Sequence, residues 1–359
     1  MTKRLIVQIC LLPVVATQLT ACGGGSNDIG NPLGAGKTLS TRTNKLTTPN
    51  VPLPASPVIP VAAIPANPAA SSAVPSGNNV TTPNVPLPAP PTIQVVAIPD
   101  TPAASAAAPS GYALVWSDEF NSTGPQLPDN SKWAYDIDRN KIGWHNGEKQ
   151  YYSNARLENS SVQNGKLVIT ARKENLAGRV TDWGNQPYTS ARLFTRGKQT
   201  WTYGFFEIRA KLPCGTGTWP AIWTLGSTPP EIWPDQGEID IMEQTGWDKG
   251  TVLGTIHTLA GYGGGGPTGS TALPDACTTF HLYQIKWTPE AIAFYVDGKS
   301  FRDPYTKPAD PRGWPFDKPQ YLLLNLAVGG VLGGTVNDAT LSDTSFEVDY
   351  VRVFQRSEE

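Results

Sequence analysis

The chain has 359 residues and a formal net charge of −2, a balance that lacks the basic footprint of a nucleic-acid binder. All 11 Trp, 12 Tyr and 10 Phe lie at or after Tyr112, whereas half of the 34 Pro lie between Gly23 and Gly111. A Pro-rich stretch without a single aromatic cannot bury a core, so one folded domain is expected over 112–359, large enough to build a substantial interior.

Residues 1–21 read as a signal peptide. Lys3 and Arg4 precede the mostly apolar run LIVQICLLPVVATQL, which is too short to span a bilayer. The run ends in Leu19-Thr20-Ala21-Cys22, which resembles the bacterial lipoprotein box and points to cleavage before a lipidated Cys22. The expected location is a bacterial cell envelope, by a lipid anchor in the outer membrane, with plain secretion as the alternative.

Residues 22–111 follow as a linker. The segment 46–77 (LTTPNVPLPASPVIPVAAIPANPAASSAVPSG) returns 34 residues later as 80–111 (VTTPNVPLPAPPTIQVVAIPDTPAASAAAPSG). Proline every few residues excludes paired helices, so the repeat reads as an extended spacer; the 89 residues from Gly23 to Gly111 could reach at most about 270 Å, at roughly 3.1 Å per residue. Gly34-Ala35-Gly36-Lys37-Thr38 imitates the end of a P-loop, but Asn31 stands where the first Gly belongs and no strand precedes it.

From Tyr112 onward the pattern is all-β. Short alternating or apolar runs occur at 166–172, 204–211, 283–287, 293–297, 321–326 and 346–354, with Asn164-Gly165 and Asp297-Gly298 as hairpin turns. No long segment has a helical period, and many short strands in one domain suggest a two-sheet sandwich. Cys214 and Cys277 are the two cysteines of this domain. In an exported protein they suggest a disulfide; two buried thiols are the alternative.

The segment with the most chemistry is Gly237-Glu238-Ile239-Asp240-Ile241-Met242-Glu243-Gln244. On a strand, Glu238 and Asp240 share one face while Ile239 and Ile241 enter the core. Carboxylates crowded on an apolar strand raise one another's pKa, which suits an acid–base catalyst. Glycoside hydrolysis needs such a pair, one ionised and one protonated. Glu243 has the wrong parity to join them, so a β-bulge at Ile241-Met242 is predicted. Four regular strand steps span about 13 Å, against about 5–5.5 Å between the carboxyl groups of a retaining pair; the bulge and the strand's bend have to close that gap.

Glu-Ile-Asp-Ile-Met-Glu resembles the active-site strand of glycoside hydrolase family 16, in its bulged E-x-D-x-x-E subgroup. Further matching segments are Trp116–Phe120, Trp144–Tyr152, Tyr188–Leu193, Gly217–Gly226, Gly254–His257 and Asp349–Arg352. Together they look like bacterial laminarinases, with a departure at His145 and Gly147, where W-G-N-N-E is common. The resemblance implies a jelly-roll sandwich of two curved antiparallel sheets with a concave substrate cleft. It also implies retaining endo-hydrolysis of a 1,3-β or mixed 1,3/1,4-β glucan. Glu238 would be the nucleophile, Glu243 the acid/base, and Asp240 the residue tuning both.

Substrate contacts are expected from Trp219 and Trp223, both reaching the cleft from an irregular segment. His257, Asn146, Glu148, Arg192 and Asn325 are the other candidates, and Gly261–Gly266 reads as a mobile loop at the cleft edge or a plain turn. No cofactor is implied for catalysis. A structural Ca²⁺ is implied on Asp349 and the backbone carbonyls of Glu119 and Gly165, oxygen ligands that suit the ion. A monomer is expected. The rival readings are another family 16 specificity (agarase, carrageenase, transglycosylase) and a glucan-binding module without catalysis.

Overall fold

The computed structural model describes residues 109–341 and 344–357. The expected signal peptide, Cys22 and the repeat linker up to residue 108 lie outside them. In chain order the described strands begin with β1 (Tyr112–Asp118), β2 (Ala134–Tyr135), β3 (Gln150–Tyr152), β4 (Ser160–Gln163), β5 (Lys166–Lys173) and β6 (Tyr188–Ser190). Next come β7 (Arg192–Phe194), β8 (Gly204–Lys211), β9 (Thr218–Gly226), β10 (Glu238–Gln244), β11 (Thr251–His257) and β12 (Thr268–Ala272). The last are β13 (His281–Trp287), β14 (Ala291–Val296), β15 (Lys299–Ser300), β16 (Tyr305–Thr306), β17 (Gln320–Val328) and β18 (Thr344–Arg356). Two single-turn helices, Gly330–Gly333 and Asp338–Leu341, sit between β17 and β18.

Both hairpin signals act as expected. Asn164 and Gly165 have φ of 52° and 73°, and Asp297 and Gly298 have 50° and 74°, the left-handed pair that a two-residue turn needs to match strand twist. They join Gln163 to Lys166 and Val296 to Lys299 in register.

The strands form two sheets. The larger runs β15-β14-β13-β8-β18-β5-β6-β3, with β1 beside β18, β16 beside β14 and β4 beside β5; the smaller runs β12-β11-β10-β9-β17-β7-β2. Pairing is antiparallel except between β3 and β6. The core lies between the inner faces. Leu167, Ile169, Phe206, Ile208, Ile285 and Val353 come from the larger sheet, and Ile222, Ile239, Ile256, Leu322, Leu324 and Leu326 from the smaller. Alternation then sends every second residue of β9, β10 and β17 to the opposite face of the smaller sheet, and the candidate site is built there. Cys214 and Cys277 are disulfide-bonded, their Cα atoms 5.2 Å apart.

Candidate active site

The floor of the site is a set of cross-strand rows. Glu238 pairs with Leu225 on β9 and His257 on β11. Asp240 pairs with Trp223, which pairs with Leu323 on β17. Glu243 pairs with Ala221, then Asn325, then Arg192 on β7. Residues directly opposite share a face, so each row carries one carboxylate and its neighbours to the same side of the sheet.

Glu243 joins the third row only because β10 is bulged. Against β9, Asp240 faces Trp223 and Met242 faces the very next partner, Ile222, leaving Ile241 as the extra residue. Against β11, Asp240 faces Thr255 and Glu243 faces Leu253. Ile241 and Met242 are both about 1 % exposed and both belong to the core. The core therefore takes two consecutive apolar side chains, and the parity of the strand is reset before Glu243. At the other end, Gly237 has φ of 78°, and a Cβ there would meet Pro315 Cγ at 2.5 Å. Only glycine brings the chain into β10 at that point.

A cleft of about 440 Å³ opens over these rows. Glu238, Asp240, Glu243, Trp219, Trp223, Asn146, Glu148, Arg192 and Asn325 all line it. Trp219 and Trp223 reach it from β9, a regular strand despite Pro220, and not from an irregular segment. Their even spacing is enough to put both on one face. Pro220 lies just past the last β9–β10 pair, Ala221 with Glu243.

Each carboxylate has its own set of partners. Trp233 Nε1–H donates to Glu238 Oε2 at 2.8 Å, and Glu238 is hydrogen-bonded to Asp240. His257 Nε2 lies 3.0 Å from Asp240 Oδ2 and 3.8 Å from Glu238 Oε1. Trp219 Nε1–H donates to Glu243 Oε1 at 2.9 Å. Burial and the adjacent Asp240 charge push the Glu238 carboxyl well above the usual range, with His257 and the Trp233 N–H opposing. Burial and the Glu243 charge do the same to Asp240. Glu243 is pushed up to about 7 by burial, opposed by the Trp219 N–H and reinforced by the charges of Glu238 and Glu148. A hydrogen bond between two such carboxyl groups implies a proton shared between Glu238 and Asp240, and that contact raises Glu238 and lowers Asp240.

The other wall is a chain of polar groups. Trp223 Nε1–H donates to Asn325 Oδ1 (2.7 Å), Asn325 Nδ2 to Tyr152 Oη (3.1 Å), and Tyr152 Oη to Glu148 Oε2 (3.3 Å). Gln150 Nε2 closes it on the same Glu148 oxygen at 2.7 Å. Arg192 lies between two indoles, its guanidinium carbon 4.6 Å from the Trp223 ring and 5.2 Å from the Trp144 ring. Asp136 Oδ2 sits 3.0 Å from Arg192 Nε. Asn146 occupies a left-handed turn residue (φ 61°) beside His145, and burial holds the His145 ring below its ordinary pKa.

The sequence reading missed Trp233, Trp144, Gln150 and Tyr152. Trp233 carried a usable signal, an aromatic five residues before the first carboxylate and next to Pro234. Trp144, Gln150 and Tyr152 lie in the matching segment Trp144–Tyr152, but nothing local shows which partners Gln150 and Tyr152 meet on β17 and in the 145–148 turn.

Glu238, Asp240 and His257 together have a metal-binding look, with ligand atoms within 4.8 Å. His257 argues against it. Gly263 N–H donates to Nδ1 at 3.1 Å, so the proton of the neutral ring is on Nε2 and no lone pair faces the carboxylates. Of the donors expected for Ca²⁺, Asp349 accepts from Arg209 through Oδ2 at 2.7 Å; the other two are the backbone carbonyls of Glu119 and Gly165, neutral oxygens that leave Asp349 as the one charged ligand of the set.

The model for "Glycosyl hydrolases family 16" matches residues 147–352. The chain belongs to glycoside hydrolase family 16. A β-glucanase of Rhodothermus marinus is 49% identical to it over 259 residues, covering 68% of this chain and 85% of that protein. The solved laminarinase of Rhodothermus marinus superposes with a TM-score of 0.63 at 46% identity, covering 69% of this chain and 98% of that one. A non-specific endo-β-1,3(4)-glucanase of the same family gives 0.66 at 47% identity, covering 70% and 94%. The sandwich described above is thus the family 16 jelly roll, and the protein is a glycoside hydrolase.

Proposed function

We propose that this family 16 enzyme cuts 1,3-β or mixed 1,3/1,4-β glucan within the chain, with retention of anomeric configuration. The observation that carries the reading is the bulge. It turns a third carboxylate into the cleft and leaves Glu238 and Glu243 in different surroundings. Glu238 shares a proton with Asp240 and accepts the Trp233 N–H; as that proton passes to Asp240, the freed oxygen of Glu238 attacks C1. Glu243, poised near 7, gives its proton to the departing glycosidic oxygen. The C1–O bond to the leaving sugar breaks as the C1–O bond to Glu238 forms. Glu243, now ionised, then takes a proton from water, whose oxygen attacks C1 and releases Glu238. Trp219, Trp223 and the sandwiched Arg192 offer flat faces and donors to sugar rings. The relatives named as glucanases support the substrate class.

The test is digestion of laminarin, lichenan, agarose and carrageenan, with the first-formed anomer read by proton NMR. Laminarin or lichenan hydrolysed to β-anomeric ends is expected. Cleavage of agarose or carrageenan alone would overturn the substrate, and α-anomeric ends the mechanism.

Export with a lipid on Cys22 belongs to the same proposal and is supported by the Leu-Thr-Ala-Cys box after an apolar run. Cys22→Ala is expected to release the protein from membranes with kcat unchanged; membrane retention of that variant would refute the anchor.

A further inference from the structure

Gly261-Tyr262-Gly263-Gly264-Gly265-Gly266 has no part in the chemistry above, yet it touches both N–H groups that face the Glu238–Asp240 pair from outside that pair. The first is His257. Gly263 N–H donates to its Nδ1 at 3.1 Å, and a Cβ on Gly266 would come within 2.8 Å of the same nitrogen. A ring whose Nδ1 accepts must carry its proton on Nε2 when neutral. That N–H then points into the gap between Asp240 Oδ2 (3.0 Å) and Glu238 Oε1 (3.8 Å), squarely aligned on neither. The second is Trp233. Its ring meets Tyr262 edge to face at 5.3 Å, and its N–H is bonded to Glu238 Oε2.

Three of these glycines, Gly261, Gly263 and Gly266, are required where they stand, whereas Gly264 and Gly265 face open space. Gly263 has φ of 55°, and a Cβ on Gly261 would strike Gly265 O at 2.8 Å. Side chains in these places would lift the segment off the imidazole. Paired contacts Thr258 N to Gly261 O and Gly261 N to Thr258 O tie the segment to the end of β11, so it is seated and not a loose flap.

We propose that the 261–266 loop is a positioning element for the nucleophile: through Gly263 it fixes His257 as the Nε2–H tautomer, and through Tyr262 it steadies the Trp233 donor. The inference rests on Glu238 being the nucleophile. The Trp233 N–H on Glu238 Oε2 is the donor that favours an ionised Glu238, while the His257 N–H, nearer Asp240 than Glu238, holds Asp240 in place beside the nucleophile. His257 and Tyr262 are thus positioning residues, and a glucan bound over Trp233 and Tyr262 would press the loop toward the reacting pair.

The test is nitrogen NMR of the ¹⁵N-histidine-labelled protein near neutral pH, with His257→Gln used to assign one of only three histidines. An unprotonated, hydrogen-bonded Nδ1 and a protonated Nε2 are expected for His257. The opposite tautomer, or a mixture, in the unaltered protein overturns the proposal. Activity supplies a second readout. A glutamine amide reaches the place of Nε2 and an asparagine amide that of Nδ1. His257→Gln should therefore keep kcat within about tenfold, and His257→Asn should lose about 100-fold with KM within a few-fold. Equal losses in the two variants would overturn the donor role. Replacing 261–266 by Asn-Gly should mix the tautomers and lower kcat by at least tenfold; unchanged kcat with mixed tautomers also refutes it. Should Glu238→Gln prove fully active, the nucleophile assignment fails, a result separate from the tautomer itself.

Discussion

The two ends of β10 hold the same residue type in opposite circumstances. Glu238 stands on the regular half, next to Asp240, with the Trp233 N–H on one oxygen and His257 nearby. Glu243 stands beyond the bulge, in a row with Ala221, Asn325 and Arg192, with Trp219 as its donor and repelled by Glu238 and Glu148. Two identical side chains five positions apart thus meet different neighbours, which is what the proposed nucleophile and acid require. The difference lies less in burial, which both share, than in which polar group faces each oxygen.

The largest expected effect breaks the comparison outright. Glu238→Gln and Glu243→Gln should each lower kcat by at least a thousandfold, about 4 kcal/mol of barrier, with the fold retained. The alanine variants distinguish the roles. With azide, Glu238→Ala should yield the α-glycosyl azide, because azide replaces the nucleophile. Glu243→Ala should yield the β-azide, because azide intercepts the glycosyl-enzyme. Product stereochemistry by NMR settles it, and the reverse pattern would exchange the two assignments.

The bulge comes next. An Ala inserted between Met242 and Glu243 should return Glu243 to the core face and cut kcat by about a hundredfold or more. Deleting Met242 leaves plain alternation with all three carboxylates on one side, and a folded, less stable, active protein is expected. Similar activity for the two variants in a laminarin assay would contradict the parity argument.

Trp219→Phe sharpens the contrast by pH. Its N–H lowers the Glu243 pKa, so removing it should raise that pKa. The acid must be protonated to act. The alkaline limb of kcat/KM, set near 7 by Glu243, should therefore move upward by roughly half to one unit. A limb that stays put or moves down would detach Trp219 from Glu243.

The smallest effect is on stability. Glu243 binds its proton more tightly folded than unfolded, with a pKa raised from 4.5 to about 7. Its stabilising contribution is complete below about 4.5 and lost as pH rises through about 7. Glu243→Gln, neutral throughout, should gain roughly 3–6 °C in Tm over the parent at pH 8 and little at pH 4.5. Equal differences at the two pH values would show that the carboxyl is not held neutral.

Much of this architecture was legible in the residues. Alternation at 166–172 and 204–211, Asn-Gly and Asp-Gly at the turns, and two isoleucines alternating with carboxylates at 238–241 give strands, hairpins and an inward face. Even the bulge was implied, since three acids could not share a face without it. All of these are local: a period of two and a turn of two residues need no knowledge of the partner strand. The His257 tautomer, the Trp233–Glu238 bond and the Trp223–Asn325–Tyr152–Glu148 chain were not legible. Each joins groups from different strands or loops, and a hydrogen bond of 3 Å is decided by sheet order and register, which a one-dimensional pattern of apolar and polar residues does not contain. By itself the sequence determined that three carboxylates would be buried together on one strand; the tertiary structure decided which N–H each would face, and so the surroundings in which each glutamate gains and loses its proton.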